Sequence, residues 1–586
     1  MRRSRIVISA VVTGLACAAV VAGIGGRGAA AAAATGCAKP PAVYPEADVT
    51  PGLRGTGETV LRGATPTAFG VRVIGILQDG VAPGIDMYIV KLSGPVVTRA
   101  GGAFAGISGS PVYVAGQLLG SVSYALTGDF TVAGLTPAQP IVNLFSYPRP
   151  AGAGAVAANP AHRAALTPAL RRRVATVARP AAAGTGSMSL LRTPIAVSGL
   201  PDAGLRRLQD VFDRHALAYT AVRGSSAALP SAPEGPPIVA GGNFAATQSF
   251  GDLTFYGLGT ATAVCGDEVV AFGHPFNLTG PTSLGMNNAD TITILKDPIF
   301  GGVKLANITG FQGMVDQDRL AGIRGLTGEL PALTKVSTTI RNADLGTSRD
   351  GVTDIADRGF MALIAQNAVY VENLVTFDRA GSGSETMSWK VTGSFQGDPF
   401  TLTRTSVVYS PFDITYDSTN ELLGELGALT ASKFGPAHIA AVHFSGGITQ
   451  AQRTATVGPV ASASSRQPVL KVRRVLHVRP GDTVRLRVTL RHPDGTTSVT
   501  AMRVELPARF HGGGLEVRGG TPPDGCPYCG FGETYRTNAK TFADLVAQFQ
   551  DGEHSNDLIA AIGKAQTRVQ EPSQILGGRT IELIVG

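Results

Sequence analysis

Apolar and polar residues alternate, or apolar residues run on over strand length, between recurrent clusters of Gly, Pro, Asp and Asn along most of the chain. A period of two sends successive side chains to opposite faces of a sheet, so these runs predict many short strands joined by tight turns. Over 38–147 the runs "AFGVRVIGIL", "DMYIVKLSG", "SPVYV" and "QLLGSVSYAL" predict one compact β unit. The composition of 148–185 shifts to Ala, Pro, Gly and Arg, which reads as a linker with one short helix around "TPALRRRVATVA". Residues 186–236 hold "PDAGLRRLQDVFDRHAL", apolar at helical spacing between two short strand patterns, and predict a small strand-helix-strand segment.

A second β unit follows over 237–345, and further strands are expected over a β-rich extension, 346–465. Residues 466–520 alternate over successive strands with Pro-Gly-Asp and Pro-Asp-Gly turns, the pattern of a β-sandwich accessory domain. The tail, 521–586, opens on Cys526-Pro-Tyr-Cys529 and continues into "TFADLVAQFQDGEHSNDLIAAIGKAQTRV", which reads as two amphipathic helices. The fold class expected is mainly β.

The chain has 586 residues, too many for one core, so several modules are expected. Its formal charge of +8 is concentrated partly in the first five residues and in Arg171, Arg172 and Arg173. Basic residues are not interleaved with aromatics along any element, which argues against a nucleic-acid groove. Arg2, Arg3 and Arg5 precede an apolar run from Ile6 to about Ile24 and an alanine tract to Ala34. These are the three regions of a secretory signal over 1–36, and they predict a secreted or cell-surface protein. An uncleaved anchor and a lipoprotein site at Cys37 are the competing readings, each placing the protein beside a membrane or cell wall.

Five cysteines are present, one of them, Cys17, inside the signal. In an oxidising compartment Cys526 and Cys529 are read as a local disulfide; pairing of Cys37 with Cys265 is compatible with the sequence but not deducible from it.

The stretch "GISGSPVYVAGQLLG", 106–120, carries the candidate chemistry. A serine nucleophile needs its hydroxyl on a sharp turn with backbone N–H groups converging on the oxyanion. Gly106-Ile107-Ser108-Gly109 supplies such a turn, with the N–H groups of Gly106 and Ser108 as oxyanion donors and a hairpin at Ala115-Gly116 to hold it. The bland alternative is a glycine-rich corner of a β protein. A base is also required. Of nine histidines, His274 in "AVCGDEVVAFGHPF" sits between Gly273 and Pro275 at a predicted strand end, where a side chain can be aimed into a cleft.

The serine segment resembles the nucleophile segment of chymotrypsin-like peptidases. Together, "GISGSPVYV" and "GLGTATAVCGDEVVAFGHPF", with "DPIFGGVKLANITGFQGMVDQDRLAGIRG" continuing the likeness, resemble the SpoIVB family of serine peptidases over roughly 45–146 and 250–330. The resemblance implies two chymotrypsin-like β-barrel halves, a Ser108/His274 mechanism, protein or peptide substrates and no metal or organic cofactor. It further implies regulatory cleavage that includes the chain itself; the internal target expected from composition is the linker 148–185, which lacks a regular apolar period and carries Arg171 to Arg173.

Three departures stand beside it. The serine half precedes the histidine half, so the halves are in permuted order. No carboxylate occupies Ser93-Gly94-Pro95, where the family's acid lies. No PDZ segment is recognisable. Asp318 is the expected replacement for the acid, with Asp290 or a Ser-His dyad backed by water or a backbone carbonyl as alternatives. The rival function is a non-catalytic cell-surface scaffold. The oligomeric state is not readable from the sequence.

Overall fold

The computed structural model describes residues 37–150, 161–179, 186–228, 232–297, 301–526 and 533–586; the expected signal at 1–36 lies outside them. The chain is mainly β, with half of it in strands and 15% in helices. Strands β1 (Arg54–Thr59), β2 (Thr67–Ala82), β3 (Ile85–Ser93), β4 (Phe104–Ala105), β5 (Pro111–Val114), β6 (Gln117–Leu126) and β7 (Asp129–Pro137) make up the first unit.

All but β4 pair in the order β5-β1-β2-β3-β7-β6, and β6 returns to β5, closing a six-stranded antiparallel barrel. The β5–β6 hairpin turns at Ala115 and Gly116, both at positive φ (48° and 79°), which matches the right-handed twist of the strands it joins. Val71, Val90, Val112, Leu119, Val122 and Leu135 fill its interior.

Part of the stretch read as a linker is built onto this barrel. Strand β8 (Arg163–Ala165) pairs with β9 (Ser187–Leu190), which pairs with β6. The expected helix forms over Pro168–Ala175, capped by the Thr167 hydroxyl, and buries Leu170 and Val174. These two residues, one helical turn apart, cover Ile74 and Leu77, so composition alone understated how well the segment packs.

The strand-helix-strand segment is present as β10 (Thr193–Val197), the helix Asp202–Arg214 and β11 (Tyr219–Arg223), with β10 and β11 parallel. It attaches to a second ring formed by β12 (Asn243–Gly251), β13 (Phe255–Cys265), β14 (Glu268–Ala271), β15 (Gly280–Leu295), β16 (Gly302–Arg319) and β17 (Gly322–Thr327). Here the pairing runs β13-β14-β17-β16-β15-β12 and β12 returns to β13, so six antiparallel strands again close on themselves.

Beyond a bulge at Thr247 and Ser249, the end of β12 leaves the ring and pairs with β19 (Ser348–Ile355). Strands β18 (Thr334–Asn342), β20 (Gly383–Phe395), β21 (Asp398–Ser410) and β22 (His438–Thr449) extend this edge in the order β19-β18-β22-β20-β21. The expectation of strands alone fails in this extension. The helix Met361–Phe377 is buried along nearly its whole circumference, and the helix Asn420–Thr430 lies against it. Burial on all sides removes the polar face that would have marked a helix in the sequence.

Two further five-stranded sheets, containing strands from Thr454–Ala463 to Gly578–Val585, share one core that includes Val457, Leu486, Val488, Leu515, Leu558 and Leu583. The tail departs from expectation. Its first helix forms at Phe542–Gln550, but Asp557–Ile562 and Ala565–Gln570 make a hairpin in place of the second. Gly563 at φ 56° makes the turn, and Leu558 and Ala560 face the shared core with the period of a strand. Among the described residues no helix is long and apolar enough to cross a membrane.

Candidate active site

Ser108 lies in the turn between β4 and β5. Ile107 N–H bonds to the Phe104 carbonyl and Gly109 N–H to the Val122 carbonyl. The Ile107 carbonyl accepts both from the Ser110 N–H (3.0 Å) and from its hydroxyl (2.6 Å). This double bond to one oxygen fixes the 107–108 peptide plane, and with it the direction of the Ser108 N–H. Gly106 and Gly109 hold φ of 100° and 92°, conformations that an L side chain rarely adopts.

The second ring grips this turn from β13. Thr260 N–H donates to the Ser108 carbonyl (2.8 Å), the Thr260 hydroxyl to the Gly106 carbonyl (3.2 Å) and the Thr262 hydroxyl to the Gly109 carbonyl (2.7 Å). A Cβ on Gly109 would strike the Thr260 carbonyl and the Phe272 backbone, so close approach of the rings requires glycine there.

His274 comes to the same seam from β14. Phe272 and Gly273 both take positive φ, 69° and 66°, turning the chain sharply off the strand. A bulky residue in that conformation is strained and must be held by its surroundings. Phe272 is fully buried among Phe244, Phe276 and the His274 ring. The Gly273 carbonyl accepts from the Ser123 hydroxyl (2.9 Å) on β6 and the Thr136 hydroxyl (2.6 Å) on β7. Each ring therefore holds the backbone that carries the other ring's candidate residue.

Ser108 and His274 are 1% and 0% exposed, and neither the Ser108 Oγ nor the His274 Nε2 has a hydrogen-bond partner. The two atoms are thus not bonded to each other. The other ring nitrogen, Nδ1, lies 2.7 Å from the Pro275 carbonyl oxygen. A carbonyl only accepts, so Nδ1 carries the proton and Nε2 presents a lone pair, the tautomer a general base needs. Burial lowers the imidazole from 6.5 to about 4, against an opposing pull from the Pro275 bond, and keeps the ring neutral.

The structure does not put Asp318 on the imidazole, because the nitrogen it was expected to orient is bonded to Pro275. The Asp318 carboxylate, buried at the end of β16, accepts instead from the backbone N–H groups of Phe276 (2.9 Å) and Asn277 (2.5 Å), with further bonds from Leu278 and Thr279. Burial raises its carboxyl to about 6 despite these bonds. It anchors the loop that follows His274 and is a positioning residue. Asp290 sits exposed on β15 opposite Asn307 and takes no part. Among the described residues the group bonded to Nδ1 is the Pro275 carbonyl and not a carboxylate.

Three contributors escaped the sequence. Asp357 accepts from Asn277 Nδ2 and Gln248 Nε2, and the single proton of the Tyr219 hydroxyl is shared between the Phe276 carbonyl (2.6 Å) and Asn277 Oδ1 (2.5 Å), tightening the same loop. The Asp-x-Gly turn at 357–359 was the available signal for Asp357. The third, Lys304 on β16, is fully buried beside Gly106, where an alternating strand pattern gives a lysine every appearance of a solvent-facing residue.

A disulfide joins Cys37 to Cys265, tying the start of the described chain to the end of β13. Cys526 is also disulfide-bonded, and its expected partner Cys529 lies outside the described residues. Cavities flank the seam on two sides. One of about 680 Å³ is lined by Ile85, Leu144, Tyr147, Leu278, Asp318 and Arg319. One of about 320 Å³ lies against Phe104, Ala105 and Val303. Compared with known proteins, the chain matches no family model, no curated protein and no solved structure.

Proposed function

We propose that the chain is an exported serine endopeptidase with two chymotrypsin-like barrels in permuted order, as its resemblance to SpoIVB peptidases implies. Ser108 attacks the substrate carbonyl, His274 Nε2 accepts its proton and returns it to the leaving amine, and the N–H groups of Gly106 and Ser108 hold the oxyanion. The observation that carries this reading is the reciprocal grip of the two rings. A glycine turn bearing an unpartnered serine hydroxyl, and a neutral imidazole whose free lone pair is set by Pro275, are both held at the seam between the rings. The two C-terminal sheets with their common core serve as an appended β-sandwich.

Self-cleavage at Arg171–Arg173 is disfavoured, since these residues lie in a helix docked on the first barrel and a peptidase needs an extended strand. The second reading, a non-catalytic surface scaffold, is favoured by the complete burial of Ser108 and His274. Incubating wild type and Ser108→Ala with an unfolded protein substrate, and following peptides by mass, separates the two. Cleavage by wild type alone supports the peptidase, and equal inactivity supports the scaffold.

A further inference from the structure

Lys304 is 0% exposed, and its carbon stem lies over the Ser108 turn: a Cβ on Gly106 would come within 2.7 Å of the Lys304 Cβ and 3.5 Å of its Cε. Its ammonium donates to Asn243 Oδ1 at 3.0 Å, and its Nζ lies 5.9 Å from the centre of the Phe104 ring. Asn243 is opposite Thr260, the residue that grips the turn, and is itself held by Thr291 and by the Gly63 and Ala289 carbonyls. Among the described residues no carboxylate pairs with Lys304. Burial alone lowers its amine, to about 7, with no contribution from any charged neighbour.

A lysine without a counterion is expensive to bury, and a Leu or Met would fill the same volume without that cost. Among the described residues no negative charge meets it, so an anion formed close by would stabilise its charged form.

We propose that Lys304 is a positioning residue that provides the positive field for the oxyanion formed at Ser108, acting across the Gly106 turn. The inference rests on the peptidase reading and deepens it. In that step Ser108 Oγ bonds to the carbonyl carbon, its proton passes to His274 Nε2, and the carbonyl π pair becomes the oxyanion. Lys304 enters the step as the ammonium, the form populated at and below about pH 7, and keeps its proton. Low local polarity strengthens the attraction, and a preformed charge needs no reorganisation when the anion appears.

The test uses a peptide boronic acid, which forms a tetrahedral anion on a serine hydroxyl, with wild type, Ser108→Ala and Lys304→Met. In Lys304→Met, boronate affinity and kcat are expected to fall about 100-fold, as for loss of an oxyanion donor. KM and thermal stability should hold, because methionine retains the stem and removes an unpaired charge. Equal boronate affinity in Lys304→Met and wild type overturns the role of Lys304 alone. Absence of boronate binding that depends on Ser108 overturns the peptidase reading, and this role with it.

Should Lys304→Met fail to fold, nitrogen NMR of the Lys304 amine in wild type decides. The boronate must move its titration to higher pH, and an unchanged titration refutes the proposal.

Discussion

His274 is expected to remain neutral well below the pH at which an exposed histidine charges. Burial lowers its folded value to about 4, whereas the unfolded chain titrates near 6.5. As pH falls between these values the unfolded chain binds a proton that the folded chain refuses. The stability from this group is therefore fully present above the unfolded value and is lost as pH drops through the folded one. At about 1.4 kcal/mol per pH unit, the gap corresponds to about 3 kcal/mol.

The perturbation is His274→Asn, whose amide replaces the Nδ1–H donor to Pro275 and does not titrate. In wild type, carbon-proton NMR of the nine histidine rings should show one resonance, missing in His274→Asn, with a midpoint near 4. If the proposed base is this imidazole, its own protonation should lower kcat/KM only toward pH 4, below the step near pH 6 set by the Asp318 carboxyl. A midpoint at 6 or above would refute the reasoning, since it requires a ring in contact with water.

Two other perturbations address what holds the site. Asp318→Asn leaves a single acceptor for several loop amides, each charge-assisted bond being worth about 1.5–3 kcal/mol. Thermal unfolding should occur earlier and turnover should fall, while the His274 titration stays put because Pro275 sets the tautomer. A large move in that titration would return Asp318 to the imidazole. Removing the disulfide as Cys37→Ser with Cys265→Ser opens a loop of 228 residues; the chain-entropy model gives about 5 kcal/mol for its closure. Denaturant unfolding should shift more on reduction in wild type than in the double variant, which keeps only the disulfide at Cys526. Identical response of the two proteins to reductant would contradict a structural role for that bond.

The turns that carry Ser108 and His274 were legible because their signals are local. Glycines at positive φ, a following proline and a two-residue hairpin mark the serine turn, and Gly-His-Pro after a short strand marks the other side. The destinations of buried polar side chains were not legible. Asp318 lies close in sequence to nothing it binds, its donors Phe276 and Asn277 being 42 and 41 residues away, so its task could be read only once β16 was folded against the loop. Lys304 was hidden for the converse reason: period-two alternation treats every charged residue as solvent-facing, whereas here the second ring closes around it. The helix Met361–Phe377 and the hairpin at 557–570 show the same limit, since enclosure by neighbours erased the polar stripe of one and gave helical-looking spacing to the other.

The central claim is that Ser108 is a nucleophile activated by His274, and covalent modification by a fluorophosphonate tests it most directly. Wild type, Ser108→Ala and His274→Asn are treated at pH 7.5, digested and mapped by mass spectrometry. The account predicts a single adduct on Ser108 in wild type, none in Ser108→Ala, and at least about 100-fold slower labelling in His274→Asn, as expected when the general base is lost. No adduct on folded wild type, or adducts on Ser110, Ser121 or Ser123 that persist without His274, would contradict it.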